Sequence, residues 1–153
     1  MADIRQAIMF DIPAIQVCDL LCFPEENRWD YHLFEEYIYF WPRLVYVAED
    51  SGTGGIVGFV IAQKKGEGTE SHGYIACLGV APTHRKSGIA QKLMDAAQNA
   101  LAKEYGSEYV SLHVCRSNQA AVDLYTEKLG YTYEIAANFY ENREDAYVMQ
   151  KQL

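Results

Sequence analysis

The sequence predicts an α/β domain built on a twisted, partly antiparallel β-sheet. Apolar runs of strand length alternate with stretches of helical periodicity, in the order β-α-α-β-β-β-α-β-α-β-β. In the middle of the chain, a buried-strand pattern over residues 73–80 leads through a basic, glycine-bearing turn into a helix. We therefore expect a mixed sheet of six to seven strands with about four helices.

The first third of the chain predicts one strand and two helices. Residues 3–9 form the strand, and Asp11 is placed to cap a helix that carries Pro13 in its first turn and ends near Cys22. We expect its buried face to comprise Ile12, Ile15, Leu20 and Leu21.

An aromatic-rich segment over residues 25–40 predicts the second helix, which ends before Pro42. Phe34 and Phe40 are expected in the core. Phenol and indole groups near turns also line peptide grooves, so the pattern leaves open whether Tyr37 or Tyr39 faces a substrate.

The remaining elements follow from alternation and turn chemistry. The predicted strands cover residues 44–49, 56–63 and 73–80, and the first two form a hairpin around residues 50–55. A helix then extends to about residue 105. It is followed by a strand over 109–114, a helix from Asn118 to about Leu129, and two strands that begin near residues 130 and 146.

Length and composition predict a globular protein. The 153 residues suffice for one domain with its own core, so we expect residues 1–153 to form a single domain. Half of the residues are hydrophobic, and 22% are charged. The first residues lack an apolar leader, and no apolar run approaches the roughly 18 residues of a membrane span. We expect a cytoplasmic protein with no membrane contact, and the nucleus is a second candidate compartment.

Charge and cysteine content limit the kinds of ligand that the sequence predicts. The net charge of −8 argues against direct nucleic-acid binding, because no surplus of Lys and Arg neutralises phosphates. It suits a substrate that carries a positive amine, although solubility explains it equally well. Cys18 and Cys22 lie four residues apart, and no His/Cys cluster has zinc spacing. We expect free thiols and no metal.

Residues 85–90, Arg-Lys-Ser-Gly-Ile-Ala, are the most informative stretch. A strand that enters a helix through such a turn directs free backbone N–H groups and the positive end of the helix dipole at one spot, which suits a phosphate. Gly88 allows a pyrophosphate to approach, and Arg85 and Lys86 add positive charge. The spacing is neither the dinucleotide fingerprint nor the P-loop, and ordinary helix starts also contain such patterns.

The pattern Arg-x-x-Gly-x-Ala at residues 85–90 resembles the acetyl-CoA signature of the GNAT acetyltransferase superfamily. Further segments, in the same order, resemble the catalytic subunits of NatA-type N-terminal acetyltransferases; they are residues 20–25, 41–42, 48–50, 84–94, 109–114, 117–118 and 144–147. His72-Gly73-Tyr74 replaces the His-Gly-His of that group. This change is similar to NatE-type catalytic subunits, where a strand tyrosine and the histidine of Leu-His-Val assist deprotonation.

The resemblance implies the GNAT fold over the whole chain and acetyl-CoA as cofactor. It implies direct transfer, in a ternary complex, to the N-terminal α-amine of a peptide or nascent chain. Ser, Ala, Thr and Gly starts are the usual substrates in the complex, and acidic starts are those of the free subunit. It also implies a large helical auxiliary subunit. Two alternatives remain open: a GNAT enzyme for Met-starting N-termini or lysine side chains, and an acyl-CoA-binding adaptor without turnover.

The resemblance and the turn chemistry together assign the cofactor site. Backbone N–H groups of residues 85–90 would hold the pyrophosphate, and a bulge or splay at Gly79 would free the strand end for the pantetheine arm. Asn118 and Tyr125 would lie near the far side of the cofactor, although Asn118 equally well caps a helix. The expected cofactor-binding residues are Leu78, Gly79, Val80, Arg85, Lys86, Ser87, Gly88, Ile89, Ala90, Asn118 and Tyr125.

Acetyl transfer to an α-amine requires only a modest base or a water relay, because the reference pKa is about 7.7–8.0. The family's Leu-Pro-Glu-Asn reads Phe-Pro-Glu-Glu-Asn here, so the substrate-facing position falls to Glu25 or Glu26. His113 and Tyr74 match the NatE-type pair, and a core histidine bonded to backbone is the alternative for His113. Cys77 could serve as a nucleophile, but no His-Asp arrangement supports its activation.

Four further residues are expected to contact the peptide. Tyr140 matches the family tyrosine that closes over it, and an ordinary loop aromatic is the alternative. The expected substrate-binding residues are Phe23, Pro24, Tyr37 and Tyr140.

Overall fold

A seven-stranded sheet forms the centre of the fold. This computed structural model describes residues 2–23, 28–66, 68, 71–115, 118–136 and 146–153. The strands are β1 (Ala2–Gln6), β2 (Val45–Asp50), β3 (Ile56–Lys65), β4 (His72–Val80), β5 (Tyr109–Cys115), β6 (Thr132–Ala136) and β7 (Ala146–Gln152). Their order across the sheet is β1-β2-β3-β4-β5-β7-β6. Only β4 and β5, among these strands, pair in parallel.

Four helices accompany the sheet in the described part of the chain. They are α1 (Ile12–Cys22), α2 (Tyr31–Phe40), α3 (Ile89–Tyr105) and α4 (Gln119–Asp123), and a π-helical turn, Leu124–Lys128, continues α4. The predicted α/β class and the predicted order of elements are confirmed. None of the helices in the described ranges is long and apolar enough to cross a membrane.

The two faces of the sheet carry different helices. Gln63 of β3 donates a hydrogen bond to the Tyr37 hydroxyl of α2, at 2.9 Å. The next residue, Lys64, donates from Nζ to the carbonyl oxygen of Tyr105 at the end of α3, at 3.0 Å. Successive strand residues point to opposite faces. Helix α2 therefore covers one face, and α3 covers the other.

Asp11 has a different role from the predicted one. It occupies the N-cap position of α1, but its carboxylate makes no capping bond to that helix. It accepts two hydrogen bonds from Arg5, at 2.8 and 2.9 Å, and one from the Ile8 N–H at 2.8 Å. The guanidinium of Arg5 lowers the pKa of Asp11, and it also binds Glu49 on β2. A long-range ion pair thus replaces the expected local cap.

The predicted apolar faces of α1 and α2 are partly wrong. Leu20, Leu21 and Phe40 are 53%, 58% and 62% exposed. The buried apolar side of α1 is Ile12, Ile15 and Cys18, and in α2 Phe34 is buried as expected. At 100° per residue, Leu20 and Leu21 turn away from the side on which Ile12 and Ile15 meet the sheet. These helices therefore present apolar side chains to solvent.

The contact between β4 and α3 yields a stability prediction. A Cβ on Gly73 would lie 2.6 Å from Cδ1 of Leu101, whose side chain is fully buried. We expect Gly73→Ala to lower the free energy of unfolding in urea by about 1–3 kcal/mol, because the buried Leu101 side chain would have to shift. Gly52→Ala is the matched control, since its nearest neighbour is 3.6 Å away. Equal stability of the two variants would contradict the packing.

Candidate active site

The sheet opens between β4 and β5. These strands pair only where Gly73, Tyr74 and Ile75 oppose Val110, Ser111 and Leu112. Both strands continue, to Val80 and Cys115, without further pairing to each other. The β4 backbone over residues 76–80 therefore lacks the ladder partner that β5 supplies earlier in the strand.

A β-bulge lies at the start of this opening. Ile61 of β3 opposes Cys77, whereas the next residue, Ala62, opposes Ile75, so Ala76 is the extra residue of β4. A bulge bends its strand and increases the local twist. Of the two alternatives expected at Gly79, a bulge or a splay, the structure has the splay, and the bulge lies three residues earlier. That glycine serves packing instead, since a Cβ there would lie 3.0 Å from Phe59 and 3.2 Å from Phe23.

A cleft of about 820 Å³ occupies the opening. Four parts of the chain line it: the end of α1 with Phe23, the end of β4, the turn that enters α3, and the segment from Asn118 through the π-helical turn. The structure thereby brings together all but one of the predicted cofactor-binding residues: Leu78, Gly79, Val80, Arg85, Lys86, Gly88, Ile89, Ala90, Asn118 and Tyr125. The exception is Ser87, whose hydroxyl donates to the carbonyl oxygen of His84.

The turn before α3 exposes a helix N-terminus to the cleft. Gly88 is the N-cap residue, with φ of 83°, and no side chain caps the first turn of this 17-residue helix. Lys86 has φ of 61°. Arg85 folds back and donates from Nε to the Val80 carbonyl oxygen at 3.0 Å. Uncapped N–H groups, the helix dipole and two basic residues together make an anion-binding surface.

His84 is a cleft residue that the sequence analysis did not identify. It lines the cleft beside Arg85. Its Nδ1 lies 2.8 Å from the Thr83 hydroxyl, and its Nε2 lies 3.5 Å from Asp50 in the β2–β3 loop. Hydrogen bonds from the Gly52 N–H and then from Thr53 lower the pKa of Asp50. The place of His84 directly before the basic turn could have indicated a cleft residue. Its contact with Asp50 could not be predicted, because Asp50 is distant in sequence.

Asn118 and Tyr125 reach the cleft from the other wall. The Asn118 side chain accepts a hydrogen bond from the Ala121 N–H at 3.3 Å, so it caps α4 while it lines the cleft. A helix cap and a position beside the cofactor, the two expectations for Asn118, are therefore compatible. Tyr125 is 7% exposed, and its ring lies 5.6 Å from that of Tyr131. The π-helical turn that carries Tyr125 is a feature often found at functional sites.

Tyr74 and His113 form a hydrogen-bonded pair at the closed end of the opening. The Tyr74 hydroxyl lies 2.9 Å from Nδ1 of His113. Tyr74 opposes Ser111, so His113, two residues further along β5, lies on the same face. Burial, and then Lys65, lower the pKa of His113, and burial raises the pKa of Tyr74. Both shifts favour the neutral forms of these groups at pH 7.

Lys65 and Tyr37 flank this pair. The Lys65 ammonium lies 3.7 Å from the centroid of the Tyr74 ring. The Tyr37 hydroxyl accepts its bond from Gln63, on the strand next to β4, and Tyr37 packs on Trp29. Tyr39, the other candidate for the groove, is 71% exposed. The α2 residue beside the Tyr74–His113 pair is thus Tyr37.

The remaining predicted residues divide into two groups. Phe23 lines the cleft, whereas Pro24, Glu25, Glu26 and Tyr140 lie outside the described residues, and their roles stay predictions. The flanks of residues 24–27 are held by side chains: Arg28 donates to the Phe23 and Leu20 carbonyl oxygens, and Asp19 accepts from the Trp29 N–H.

Cys77 does not have the surroundings of a nucleophile. Burial, and then the nearby Asp19 and Cys22, raise the pKa of its thiol well above the usual range. A thiol must ionise to attack a thioester. Cys77 therefore fills space beneath the opening.

Solved structures with the same architecture bind coenzyme A. The NatC complex bound to Gag peptide and CoA contains a chain that superposes with a TM-score of 0.87 and 24% identity, over 99% of this chain and 98% of that one. A chain of the NatB acetyltransferase complex bound to CoA and MES gives 0.84 and 26%, over 99% of each chain. The fold is therefore one that occurs in chains of these two CoA-bound complexes.

Sequence relatives point to the same family. The N-terminal acetyltransferase A complex catalytic subunit NAA10 of Arabidopsis thaliana is 51% identical over 154 residues, which cover 100% of this chain and 79% of the relative. The catalytic subunit ard1 of Schizosaccharomyces pombe is 38% identical over 152 residues, covering 97% and 84%. The profile of the acetyltransferase (GNAT) family matches residues 14–131. This chain therefore belongs to the GNAT acetyltransferase family.

Proposed function

We propose that this protein transfers the acetyl group of acetyl-CoA to the N-terminal α-amine of peptides and nascent chains. One observation carries the proposal: the opening between β4 and β5 has the anion-binding cleft on one side and the Tyr74–His113 pair at its closed end. The relatives that this chain matches over its whole length are named as catalytic subunits of N-terminal acetyltransferases.

The residues around the cleft suit acetyl-CoA. The first turn of α3, with Arg85 and Lys86, would hold the pyrophosphate. The unpaired β4 edge over residues 78–80 offers backbone groups to the amides of the pantetheine arm. Acetyl-CoA supplies an activated thioester, so no protein nucleophile is required, and this agrees with the raised pKa of the Cys77 thiol.

Tyr74 and His113 would accept the proton of the acceptor amine. With Nδ1 of His113 unprotonated, the Tyr74 hydroxyl donates to it and its oxygen can take a proton from the amine. Reference pKa values of about 7.7–8.0 and 10.4 make an α-amine neutral at pH 7 a few hundred times more often than a lysine side chain. A neutral pair of this kind therefore favours N-termini over lysines.

The substrate range is proposed from the resemblance of the chain to NatA-type subunits. We expect Ser, Ala, Thr, Gly or acidic starts, with Glu25 or Glu26 and Tyr140 completing the peptide site. Acetylation of Met-starting N-termini is the second candidate, because Tyr74 and His113 match the NatE-type pair and form a hydrogen bond. The same bond argues against a non-catalytic acyl-CoA adaptor, which needs no base.

The exposed apolar side chains of α1, α2 and the turn before α1 would dock a helical auxiliary subunit. Val17, Leu20 and Leu21 lie at i, i+3 and i+4 of α1 and so share one side of that helix, and grouped exposed apolar side chains mark interaction sites. The most exposed of these side chains are Phe10, Val17, Leu20, Leu21, Tyr39 and Phe40. The net charge of −8 makes this chain unsuited to contact RNA directly, so ribosome binding would fall to the partner. We place the complex in the cytoplasm.

The acceptor proposal is tested with three peptides: one that starts with Ser, one that starts with Met-Leu, and one with a blocked N-terminus and an internal lysine. We expect the Ser peptide to be acetylated fastest. Tyr74→Phe and His113→Gln should each lower kcat by about 10²–10⁴, because the proton acceptor is lost, with acetyl-CoA affinity unchanged. His72→Gln is the control. His72 lies on the same face of β4 as Tyr74, but its ring stacks on Tyr109. Normal turnover in both pair variants would refute the assignment.

Residues 85–90, which we assign to the pyrophosphate and call the phosphate turn, are tested with two glycines at opposite ends of α3. Gly88 and Gly106 both have positive φ, 83° and 66°, and both have open space around them, but only Gly88 lines the cleft. Valine at either position introduces similar backbone strain. We expect Gly88→Val to weaken acetyl-CoA binding at least about tenfold in calorimetry, because the pyrophosphate can no longer approach the amides. Gly106→Val should bind normally, and equal affinities would count against the cradle.

Lys65 predicts a change in pH dependence. Its charge lowers the pKa of His113, so Lys65→Met should raise that pKa. The acidic limb of kcat/KM against pH should then move to higher pH, because His113 must be unprotonated to accept a proton. Lys64→Met is the control, since Lys64 contacts Tyr105 on the other face of the sheet. An unmoved limb in Lys65→Met would show that another group titrates.

A further inference from the structure

Cys22 places a thiol inside the cleft. It is the last residue of α1, and it lines the cleft together with Phe23, Val80 and Arg85. Its Sγ lies 3.3 Å from the position of a Cβ built on Gly79. The thiol therefore lies against the β4 edge to which we assign the pantetheine arm. Nothing in the proposed acetyl transfer uses it.

The surroundings of Cys22 activate it and leave its neighbours inert. The Cys18 thiol, one helical turn earlier, and then the Arg85 guanidinium lower the pKa of Cys22, against burial and the charge of Asp19. The Cys18 thiol is 1% exposed and has a raised pKa, and the pKa of Cys77 is raised by burial. Among the free cysteines of the described residues, Cys22 alone combines a place in the lining of the cleft with a lowered pKa.

We propose that Cys22 is a covalent modification site for disulfides that the cleft binds, above all the disulfide of coenzyme A, and that its modification excludes acetyl-CoA. The inference rests on the proposed function only for the identity of the cleft's ligand. The phosphate turn would hold the nucleotide of the disulfide as it holds that of acetyl-CoA, which brings the central sulfur atoms into the cleft beside β4. An attached CoA then fills the space that the substrate needs.

The reaction is a thiol–disulfide exchange, and it balances. The Cys22 thiolate attacks one sulfur of CoA–S–S–CoA, the S–S bond of that molecule breaks, and a new S–S bond joins Cys22 to one CoA. The second CoA leaves as a thiolate and takes up the proton that Cys22 lost. No further oxidant is consumed, and an added thiol such as dithiothreitol reverses the reaction.

The test treats the purified protein with CoA disulfide and follows two readouts, adduct mass and acetyl-CoA binding. We expect one CoA adduct, mapped to the Cys22 peptide, and loss of acetyl-CoA binding; dithiothreitol should restore binding. Cys22→Ser and Cys22→Ala should form no adduct and keep their untreated affinity after exposure. Cys77→Ser is the matched thiol control and should behave as wild type.

Two further arms identify what delivers the disulfide. Saturating acetyl-CoA should slow adduct formation at least about tenfold, because it occupies the cleft. Glutathione disulfide, which lacks the nucleotide, should react at least about tenfold more slowly than CoA disulfide, since the phosphate turn cannot hold it. Equal rates for the two disulfides, or no protection by acetyl-CoA, would overturn delivery by the cleft.

Other results would overturn the site itself. An adduct on a cysteine other than Cys22, equal loss of binding in Cys22→Ser, or an adduct on Cys22 with full acetyl-CoA binding would each do so. Neither readout depends on peptide acetylation. A protein that forms the Cys22 adduct but acetylates no N-terminus would contradict the proposed acceptor and support this inference. A protein that acetylates N-termini but forms no Cys22 adduct would support the proposed acceptor and contradict this inference.

Discussion

Backbone pairing between β4 and β5 stops after Ile75 and Leu112, and the site depends on this interruption. A parallel pair that continued to Val80 would consume the β4 backbone groups that we assign to acetyl-CoA. It would also close the cleft and separate it from the Tyr74–His113 pair. The bulge at Ala76 bends β4 at this point, and Leu101 against Gly73 fixes the strand just before it. Packing on α3 thus holds the paired part of β4 directly before the opening.

The opening brings together two kinds of chemistry that need different surroundings. The donor side is electropositive and accessible, with the uncapped start of α3 and Arg85 facing an open cleft. The side that we assign to the acceptor is partly buried, and burial moves the pKa values of Tyr74 and His113 in opposite directions, each towards its neutral form. Cys22 lies on the donor side, where Arg85 favours an anion. The charge that attracts a pyrophosphate thus also favours a thiolate.

Much of the fold and of the cofactor side could be predicted from the sequence, since its signals are local. Strand alternation, the glycines and the basic turn gave the order of elements and the residues around the cleft. The failures involve partners far apart in the chain. Asp11 binds Arg5 of β1, which also binds Glu49 of β2, instead of capping its helix. Leu20 and Phe40 are exposed, because no other described element packs on their side of the helices. No local pattern marks Ala76 as a bulge, and only the family resemblance paired Tyr74 with His113.

The central claim is that the unpaired end of β4 and the first turn of α3 form one site for acetyl-CoA. Amide hydrogen exchange with and without the cofactor tests it most directly. The account predicts that cofactor slows exchange over residues 76–80 and 88–91, while the paired residues 73–75 exchange slowly in both states. Unchanged exchange in both segments at saturating acetyl-CoA would contradict it.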